Sequence, residues 1–333
     1  MKKYIIALLS LWVTAPALTQ AAEVRVYSGR HYNSDRKVFK QFSDLTGIRV
    51  RLLEATGVSL VERLKREGDR ANADVIILVD AARIQSAADQ GLLKPSATSA
   101  LVRQVPNQYR DPKGRWFGIT RRIRGIIVNP SRVDIGLLRS YEDLASAKLK
   151  GKLCLRKREN VYNQSLVASQ IVLKGQAKAR QWLNGMVRNV SEPFFSSDTA
   201  LIRAVAQGKC GAGVVNHYYL ARMQAGGNGK RDSDISKNVK LILPAPAHVN
   251  ISAIGIAASA KNPKEALQLA EFLTSRQGSS ALASSTYEYP IKGNSSSGKL
   301  RGYGAFRSDG VSISDLSKQL RPALALMTQS GWK

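Results

Sequence analysis

Asp74-Val-Ile-Ile-Leu-Val79 contains a continuous apolar run of the kind that forms a parallel strand buried on both faces. Upstream, the chain alternates two shorter strands with two amphipathic helices, and a further helix follows the run and ends at Gly91. The predicted strands cover residues 24–27, 48–53 and 74–79, and the predicted helices cover 34–45, 59–67 and 81–90. This β-α-β-α-β-α order predicts a doubly wound α/β domain.

A second α/β unit follows after Pro95. Two longer strands are predicted first, at 116–119 and 123–128. The remaining predicted strands are 152–155, 212–215, 239–243 and 251–257, and the predicted helices are 164–174, 177–190, 199–207, one starting near 218, 263–274 and 314–328. Two similar-sized units joined by extended segments would enclose a cleft. Because open parallel sheets bind ligands outside the carboxyl ends of their strands, those ends are the place to search for function.

The N-terminus has the pattern of a secretory signal peptide. Lys2 and Lys3 precede an almost purely apolar stretch at 4–18, and small residues follow, so we expect cleavage after Ala21 or Ala22. An uncleaved membrane anchor is the alternative, but the apolar run is short for a bilayer span. We therefore expect a soluble exported protein, and the roughly three hundred remaining residues favour two domains.

The chain is strongly basic, with 51 Lys and Arg against 24 Asp and Glu and a formal charge of +27. Such a balance raises nucleic acid as a partner. However, the basic residues are spread along the chain without a long run, and export takes the protein away from nucleic acid. Work beside anionic envelope surfaces is the simpler explanation.

Cys154 and Cys210 are the two cysteines. In an oxidising compartment an isolated pair is usually a disulfide. A thiolate metal site is the alternative, although two such ligands without a nearby histidine make a poor site.

Tyrosines follow three of the predicted strands at their carboxyl ends. His31 and Tyr32 come after the first strand, Tyr162 follows the strand at 152–155, and Tyr218 and Tyr219 follow the strand at 212–215. A single tyrosine at such a place usually packs its ring against apolar neighbours while its hydroxyl group contacts water. Four of them, from both sides of the presumed cleft, indicate a common site.

Ferric iron explains this choice of residues. Hard cations prefer anionic oxygen ligands. A phenol has a pKa near 10 in water, but a bound cation favours the deprotonated ligand. Four phenolates would match and slightly exceed the charge of the metal, and imidazole is an acceptable fifth ligand. The chain has three histidines in all, which argues against zinc or manganese.

These segments resemble the iron-ligand motifs of the periplasmic ferric iron-binding proteins. That family supplies the substrate-binding subunits of iron ABC transporters and is also called the bacterial transferrins. The resemblance covers essentially the whole mature chain and is closest to the subgroup whose site uses four tyrosines and a histidine. The matching segments are Arg30-His31-Tyr32-Asn33-Ser34-Asp35, Val161-Tyr162-Asn163-Gln164-Ser165, Tyr218-Tyr219-Leu220-Ala221-Arg222, Ala73-Asp74-Val75, Val79-Asp80-Ala81-Ala82-Arg83 and Trp116-Phe117-Gly118-Ile119.

The resemblance implies a fold and a ligand set. The fold would be the two-lobed, type II periplasmic-binding-protein fold, each lobe a doubly wound sheet with flanking helices. After a signal peptide at 1–22, one lobe would comprise 23–122 plus 250–300 and the other 123–249 plus 301–333. Tyr32, Tyr162, Tyr218 and Tyr219 match metal ligands, and His31 matches a histidine that binds the metal in some members only.

The resemblance also implies residues that support the ligands, a cargo and partners. Arg122 and Arg222 match arginines that balance phenolate charge, and Cys154 and Cys210 match a structural disulfide. Fe(III) would be cargo, free or chelated, with no catalytic cofactor. The partners would be an inner-membrane permease and its ATPase. We expect a periplasmic monomer without a nucleic-acid partner, which closes around iron by bending at segments 118–128 and 244–251.

Two features depart from the family. His217 stands where a small polar residue is more usual; it could donate to the site, but we expect an exposed residue at a helix start. The positive charge exceeds that expected of the family, which leaves a chelated, anionic form of iron open as cargo. Without the resemblance, Arg121, Arg122 and Arg124 would be taken as the solvated face of a strand.

Two other classes of function compete. The same fold serves binding proteins for anions and organic solutes, so the fold alone does not decide. An anion site would use helix N-termini with Ser, Thr and Arg, and a polyamine site would need carboxylates, which are scarce near the tyrosines. Catalysis is the second alternative. The sequence holds no Gly-x-Ser-x-Gly, HExxH or P-loop motif, so we expect no enzyme.

Overall fold

A computed structural model describes residues 22–30, 32–191, 194–295 and 297–333. The predicted signal peptide therefore lies outside the described residues, except for Ala22. Within the described ranges, none of the helices has the length and apolar character needed to cross a membrane.

The order of elements is mixed α/β throughout. The strands are β1 (Glu23–Ser28), β2 (Arg49–Glu54), β3 (Val75–Val79), β4 (Phe117–Val128), β5 (Leu153–Cys154), β6 (Ala212–Asn216), β7 (Lys240–Ile242), β8 (Val249–Ile256) and β9 (Tyr289–Pro290). The α-helices are α1 (Asp35–Thr46), α2 (Gly57–Glu67), α3 (Ala81–Asp89), α4 (Ser99–Gln104), α5 (Val161–Lys174), α6 (Gln176–Arg188), α7 (Asp198–Ala206), α8 (His217–Gln224), α9 (Lys230–Ser236), α10 (Pro263–Thr274), α11 (Arg276–Thr286), α12 (Gly298–Arg301), α13 (Ile313–Lys318) and α14 (Leu320–Gln329).

The α/β prediction is confirmed, and the apolar run at 74–79 forms β3 from Val75 to Val79, in which all five residues are buried. Strand order is β2-β1-β3-β8-β4-β6-β5, and β7 and β9 also pair with β4. The pairs among β1, β2 and β3 and between β5 and β6 are parallel. Strand β8, by contrast, runs antiparallel to both β3 and β4, so the sheets are mixed.

Strand β4 corrects one prediction. Instead of two strands at 116–119 and 123–128, one strand of 12 residues runs from Phe117 to Val128. Its first part pairs with β8 and its last five residues, Arg124 to Val128, pair with β6. The polar stretch at 120–122 resembled a break, but it stays in the strand because its side chains have buried partners. One strand thus serves both halves of the molecule.

Apolar side chains form separate cores on either side of this strand. The largest cluster surrounds β1, β3, β8 and the first part of β4. A second cluster surrounds α5, α6 and α14, and a third surrounds α7 and β6. The predicted helix at 314–328 is two helices, α13 and α14, which meet at Gln319. Since the strands of both halves end toward the same gap, the residues that follow them face each other.

Candidate metal centre

Three of the four predicted tyrosines surround Arg222. Its guanidinium carbon lies 5.3 Å from the ring centre of Tyr32, 5.7 Å from that of Tyr218 and 5.9 Å from that of Tyr219. The rings of Tyr218 and Tyr219 are 4.4 Å apart. Tyr162 is electrostatically coupled to the other three tyrosines. Side chains from three strand ends, distant in sequence, therefore share one site.

Local structure explains how each tyrosine reaches the site. Tyr32 lies in the turn between β1 and α1. Tyr162 is in the first turn of α5, where the side chain of the N-cap Asn160 accepts a hydrogen bond from its backbone N–H at 3.0 Å. Tyr218 and Tyr219 are in the first turn of α8, directly after β6. The prediction of a helix starting near Tyr218 is confirmed, whereas the helix predicted from residue 164 begins at Val161 and includes Tyr162.

Burial keeps the phenols of Tyr32, Tyr218 and Tyr219 protonated when the site holds no cation. It raises the pKa of Tyr32 to about 12, with the neighbouring carboxylate of Glu288 adding to the effect. Burial also raises the pKa of Tyr218 and of Tyr219. A cation would have to displace these protons, so its binding must release protons to the solvent.

Arginines surround the ring of Tyr162. The guanidinium carbons of Arg122, Arg124 and Arg156 lie 5.2, 5.9 and 6.0 Å from its centre. Arg122 is 1% exposed and Arg124 is 2% exposed, so their interpretation as a solvated strand face is wrong. Arg121 alone of that group is partly exposed.

These three arginines keep unused donors. The Nε atoms of Arg122, Arg124 and Arg156, and Nη1 of Arg122, are buried without a hydrogen-bond partner among the described residues. Asp198, fully buried, accepts hydrogen bonds from Arg124 at 2.7 Å and from Arg156 at 2.6 Å. Three guanidinium groups at one phenol would stabilise its phenolate form. The sequence pointed to Arg122 alone; Arg124 and Arg156 were missed, since their burial depends on a carboxylate far along the chain.

Beneath Tyr32 lies a second buried arginine that the sequence did not single out. Arg30 pairs with Asp35 at 2.6 Å and with Glu288 at 2.9 Å, and all three side chains are buried. Hydroxyl groups of Thr120 and Ser252 also accept hydrogen bonds from its Nη1. The guanidinium carbon lies 5.1 Å from the ring centre of Tyr32, so this network holds the base of the turn that carries Tyr32.

His217 differs from expectation. It does open helix α8, but it is fully buried. Its Nδ1 accepts a hydrogen bond from the backbone N–H of Ile123 at 3.1 Å, at the point where β4 passes from β8 to β6. Burial lowers the pKa of His217 to about 4, so the ring is neutral at pH 7. Its role is to satisfy a strand amide, which a sequence pattern does not reveal.

The remaining predicted residues have different outcomes. His31 lies outside the described residues. Cys154 and Cys210 form a disulfide, so a thiolate metal site is excluded, and the bond joins β5 to the segment just before β6. The described part of the chain contains no group of three or more His, Cys, Asp or Glu residues placed to hold a metal. A hard cation in this cleft would therefore depend on the phenols for its anionic oxygens.

Proteins similar to this chain include relatives named for iron uptake and for ferric iron binding. Residues 71–301 match the family of bacterial extracellular solute-binding proteins. Iron uptake protein A1 of Synechocystis is 37% identical over 316 residues, which cover 93% of this chain and 88% of that protein. The major ferric iron-binding protein of Neisseria meningitidis is 27% identical over 339 residues, 99% of this chain and 98% of that one.

A solved structure of similar fold also contains iron. The Trichodesmium protein IdiA (FutA), in complex with iron and citrate ligands, superposes with a TM-score of 0.90 at 37% identity and covers 94% of this chain and 100% of that chain. Sequence, fold and the residues matched together show that the chain belongs to the family of bacterial extracellular solute-binding proteins.

Proposed function

We propose that this protein is a periplasmic solute-binding protein that captures ferric iron between Tyr32, Tyr162, Tyr218 and Tyr219. The observation that carries the proposal is the convergence of these four phenols from three strand ends in one cleft, with Arg222 within 6 Å of three of the ring centres. Relatives and structural neighbours named for ferric iron support it. His31, next to Tyr32, would be a fifth ligand.

The arginines support a trivalent cargo. Four phenolates carry one negative charge more than Fe(III) supplies positive charge, and the guanidinium groups at Tyr162 offset the excess. The same cations would also favour an anionic ferric chelate. In either form the cargo enters as substrate and leaves unchanged, so the protein requires no catalytic cofactor and is not an enzyme.

Delivery would follow the pattern of a two-lobed binding protein. We propose lobes at 23–122 plus 250–300 and at 123–249 plus 301–333, exported by the signal peptide at 1–22. Iron that bridges Tyr32 of the first lobe and the other tyrosines of the second would favour a closed, monomeric form. An inner-membrane permease and its ATPase would receive the iron from that form.

A visible absorption spectrum tests the proposal. Ferric phenolates are strongly coloured, so the mature protein should develop a visible band on addition of one equivalent of a ferric chelate. Tyr219→Phe keeps the ring packing and removes one phenolate, so the affinity should fall by about a hundredfold and the band should change. A colourless protein, with a Tyr219→Phe variant that binds the chelate as the wild type does, would instead favour a site for an anionic or organic solute.

A further inference from the structure

Asp80 has a backbone conformation that needs an explanation. It follows β3 with φ 81° and ψ 120°, a region that residues other than glycine rarely adopt. Backbone strain of this kind persists only where the surroundings enforce it, and it is concentrated at functional sites. Asp80 is also fully buried, so its carboxylate depends on neighbouring groups for hydrogen bonds.

The neighbours of Asp80 come from both halves of the molecule. Its carboxylate accepts hydrogen bonds from the Ser165 hydroxyl, with both oxygens at 3.0 Å, and from Asn250 Nδ2 at 2.9 Å. Arg122 Nη2 lies at 3.5 Å. Ser165 is on α5, one turn beyond Tyr162, whereas Asn250 is on β8 and Asp80 directly follows β3, both strands of the other core. The carboxylate also caps α3 through the N–H of Ala82.

We infer that Asp80 is a positioning residue that holds the Tyr162-bearing turn of α5 against the strand carrying Arg122, and that this contact slows iron release. The inference rests on the proposed function. The carboxylate contacts a hydroxyl from one half, an amide from the other and the arginine that faces the Tyr162 ring. Separation of the halves would remove the acceptor from Ser165, so opening would cost a buried hydrogen bond to a charged group.

The test compares two buried serines on the same helix. Ser165→Ala removes the bond to Asp80, whereas the control Ser169→Ala removes a bond that stays within α5, to the carbonyl of Leu166. Both positions are fully buried. Asp80→Asn is a second probe, because asparagine tolerates positive φ and caps helices but offers one acceptor oxygen instead of two. The measurement is the rate of iron transfer to an excess of a competing chelator.

We expect Ser165→Ala and Asp80→Asn to release iron about three- to tenfold faster than the wild type, with an unchanged visible band, and Ser169→Ala to stay within twofold. Equal release rates for Ser165→Ala and Ser169→Ala would overturn the inference, as would rates that follow the urea stability of the iron-free variants. A wild type without a visible band would refute the proposed function instead, so the two failures can be told apart.

The unexplained positive charge of the chain carries an independent inference. Six exposed basic residues at one end of the second half make no ion pair with other described residues: Arg132, Lys148, Lys150, Lys152, Arg188 and Lys209. Of the nearby carboxylates, Glu142 pairs with Lys174, and Asp143 accepts hydrogen bonds from the backbone of 139 and 140.

Contacts of the chain bring Arg132, Lys152, Arg188 and Lys209 together, and Lys148 and Lys150 shortly precede Lys152 in the sequence. The Lys152 carbonyl accepts hydrogen bonds from Gly211 and Ala212, which places it beside Lys209. Gly208 lies against the Arg132 side chain. Strand β5 begins next to Val190, close to Arg188. This basic end is where β5 and β6 begin and β4 ends, whereas Tyr218 and Tyr219 follow the opposite end of β6.

We propose that this basic end binds the anionic phospholipid surface of the envelope membrane, with the tyrosine cleft kept clear of the bilayer. Four of the six residues are lysines, a type that is depleted from protein–protein interfaces but well suited to lipid headgroups. Their charges are exposed and unpaired, so attraction to an anionic surface requires no salt bridge to be broken, and it should weaken with added salt.

Vesicle sedimentation tests this proposal. The wild type is compared with a variant in which all six residues are changed to Gln. A control variant changes six exposed, unpaired basic residues of the first half, again four Lys and two Arg: Lys37, Lys65, Lys113, Lys264, Arg66 and Arg103. Net charge is thus the same in both variants. The probes are vesicles of phosphatidylglycerol with phosphatidylcholine and vesicles of phosphatidylcholine alone.

We expect the wild type to bind the phosphatidylglycerol vesicles alone, the basic-end variant to lose at least tenfold in affinity, and the control variant to lose no more than threefold. Equal losses in both variants would show that only net charge matters and would overturn the proposal. Unchanged vesicle binding of the basic-end variant, with weaker binding to the purified permease complex, would overturn it in favour of a protein partner.

Discussion

Buried arginines contact the tyrosines in two groups with different partners, one formed by Arg30 and its partners and the other by Arg122, Arg124 and Arg156. Arg30, under Tyr32, lies between two carboxylates and two hydroxyls. At Tyr162, three arginines share the carboxylates of Asp80 and Asp198, and each keeps an Nε without a partner among the described residues. In the first group, two carboxylates more than balance the positive charge of Arg30. The second has positive charge left over, which we expect phenolates to use when a cation is bound.

Because the partners of the two groups differ, burial alone does not identify a functional arginine. Breaking the first group would leave carboxylates buried without compensation, which is a cost in stability. Changing the second would mainly alter the free energy of forming a phenolate, which is a cost in binding.

The largest effect is expected from pH. Burial raises the pKa of Tyr32, to about 12, and those of Tyr218 and Tyr219, so all three phenols carry protons at neutral pH and must lose them to bind iron. Protons therefore compete with iron, and the affinity should fall as pH falls. Three protons correspond to about a thousandfold per pH unit, or about 4 kcal/mol. Competition with a chelator of known pH dependence between pH 8 and pH 6 measures the slope; an affinity independent of pH would contradict phenolate ligation.

Arg30→Met should produce the next largest effect, and it should be on stability. The change leaves Asp35 and Glu288 buried without their cation, at a cost of about 3–5 kcal/mol in the free energy of unfolding. Urea unfolding of the iron-free protein measures it. A variant as stable as the wild type would show that Arg30 and its two carboxylate partners do not stabilise the fold.

Arg122→Met should reverse the pattern, with a smaller effect. Its Nε and Nη1 have no partner to lose, and Asp80 keeps its bonds to Ser165 and Asn250, so stability should change by less than in Arg30→Met. Iron affinity should fall by about tenfold, because a cation beside Tyr162 is lost. Chelator competition gives the iron affinity, and urea unfolding of the same preparations gives the stability. An unchanged affinity would show that Arg122, like Arg30, has a structural role.

Much of the site could be predicted because the relevant rule is simple. Parallel strands end at a common edge, so we expected tyrosines that follow them to lie close together, and Tyr32, Tyr218 and Tyr219 do so around Arg222. The buried arginines could not be recognised in the same way. Arg124 is buried because Asp198, 74 residues later, accepts its hydrogen bond. The continuity of β4 and the burial of His217 likewise depend on partners that no local pattern identifies.

The central claim is that one iron ion binds to all four tyrosines at once. A crystal structure of the mature protein with one equivalent of ferric iron tests it most directly. We expect a single iron bonded to the phenolate oxygens of Tyr32, Tyr162, Tyr218 and Tyr219, with Arg122 and Arg222 close to them and not bonded to the metal. Iron bound elsewhere, or held in the cleft by carboxylates with the phenols unbonded, would contradict it.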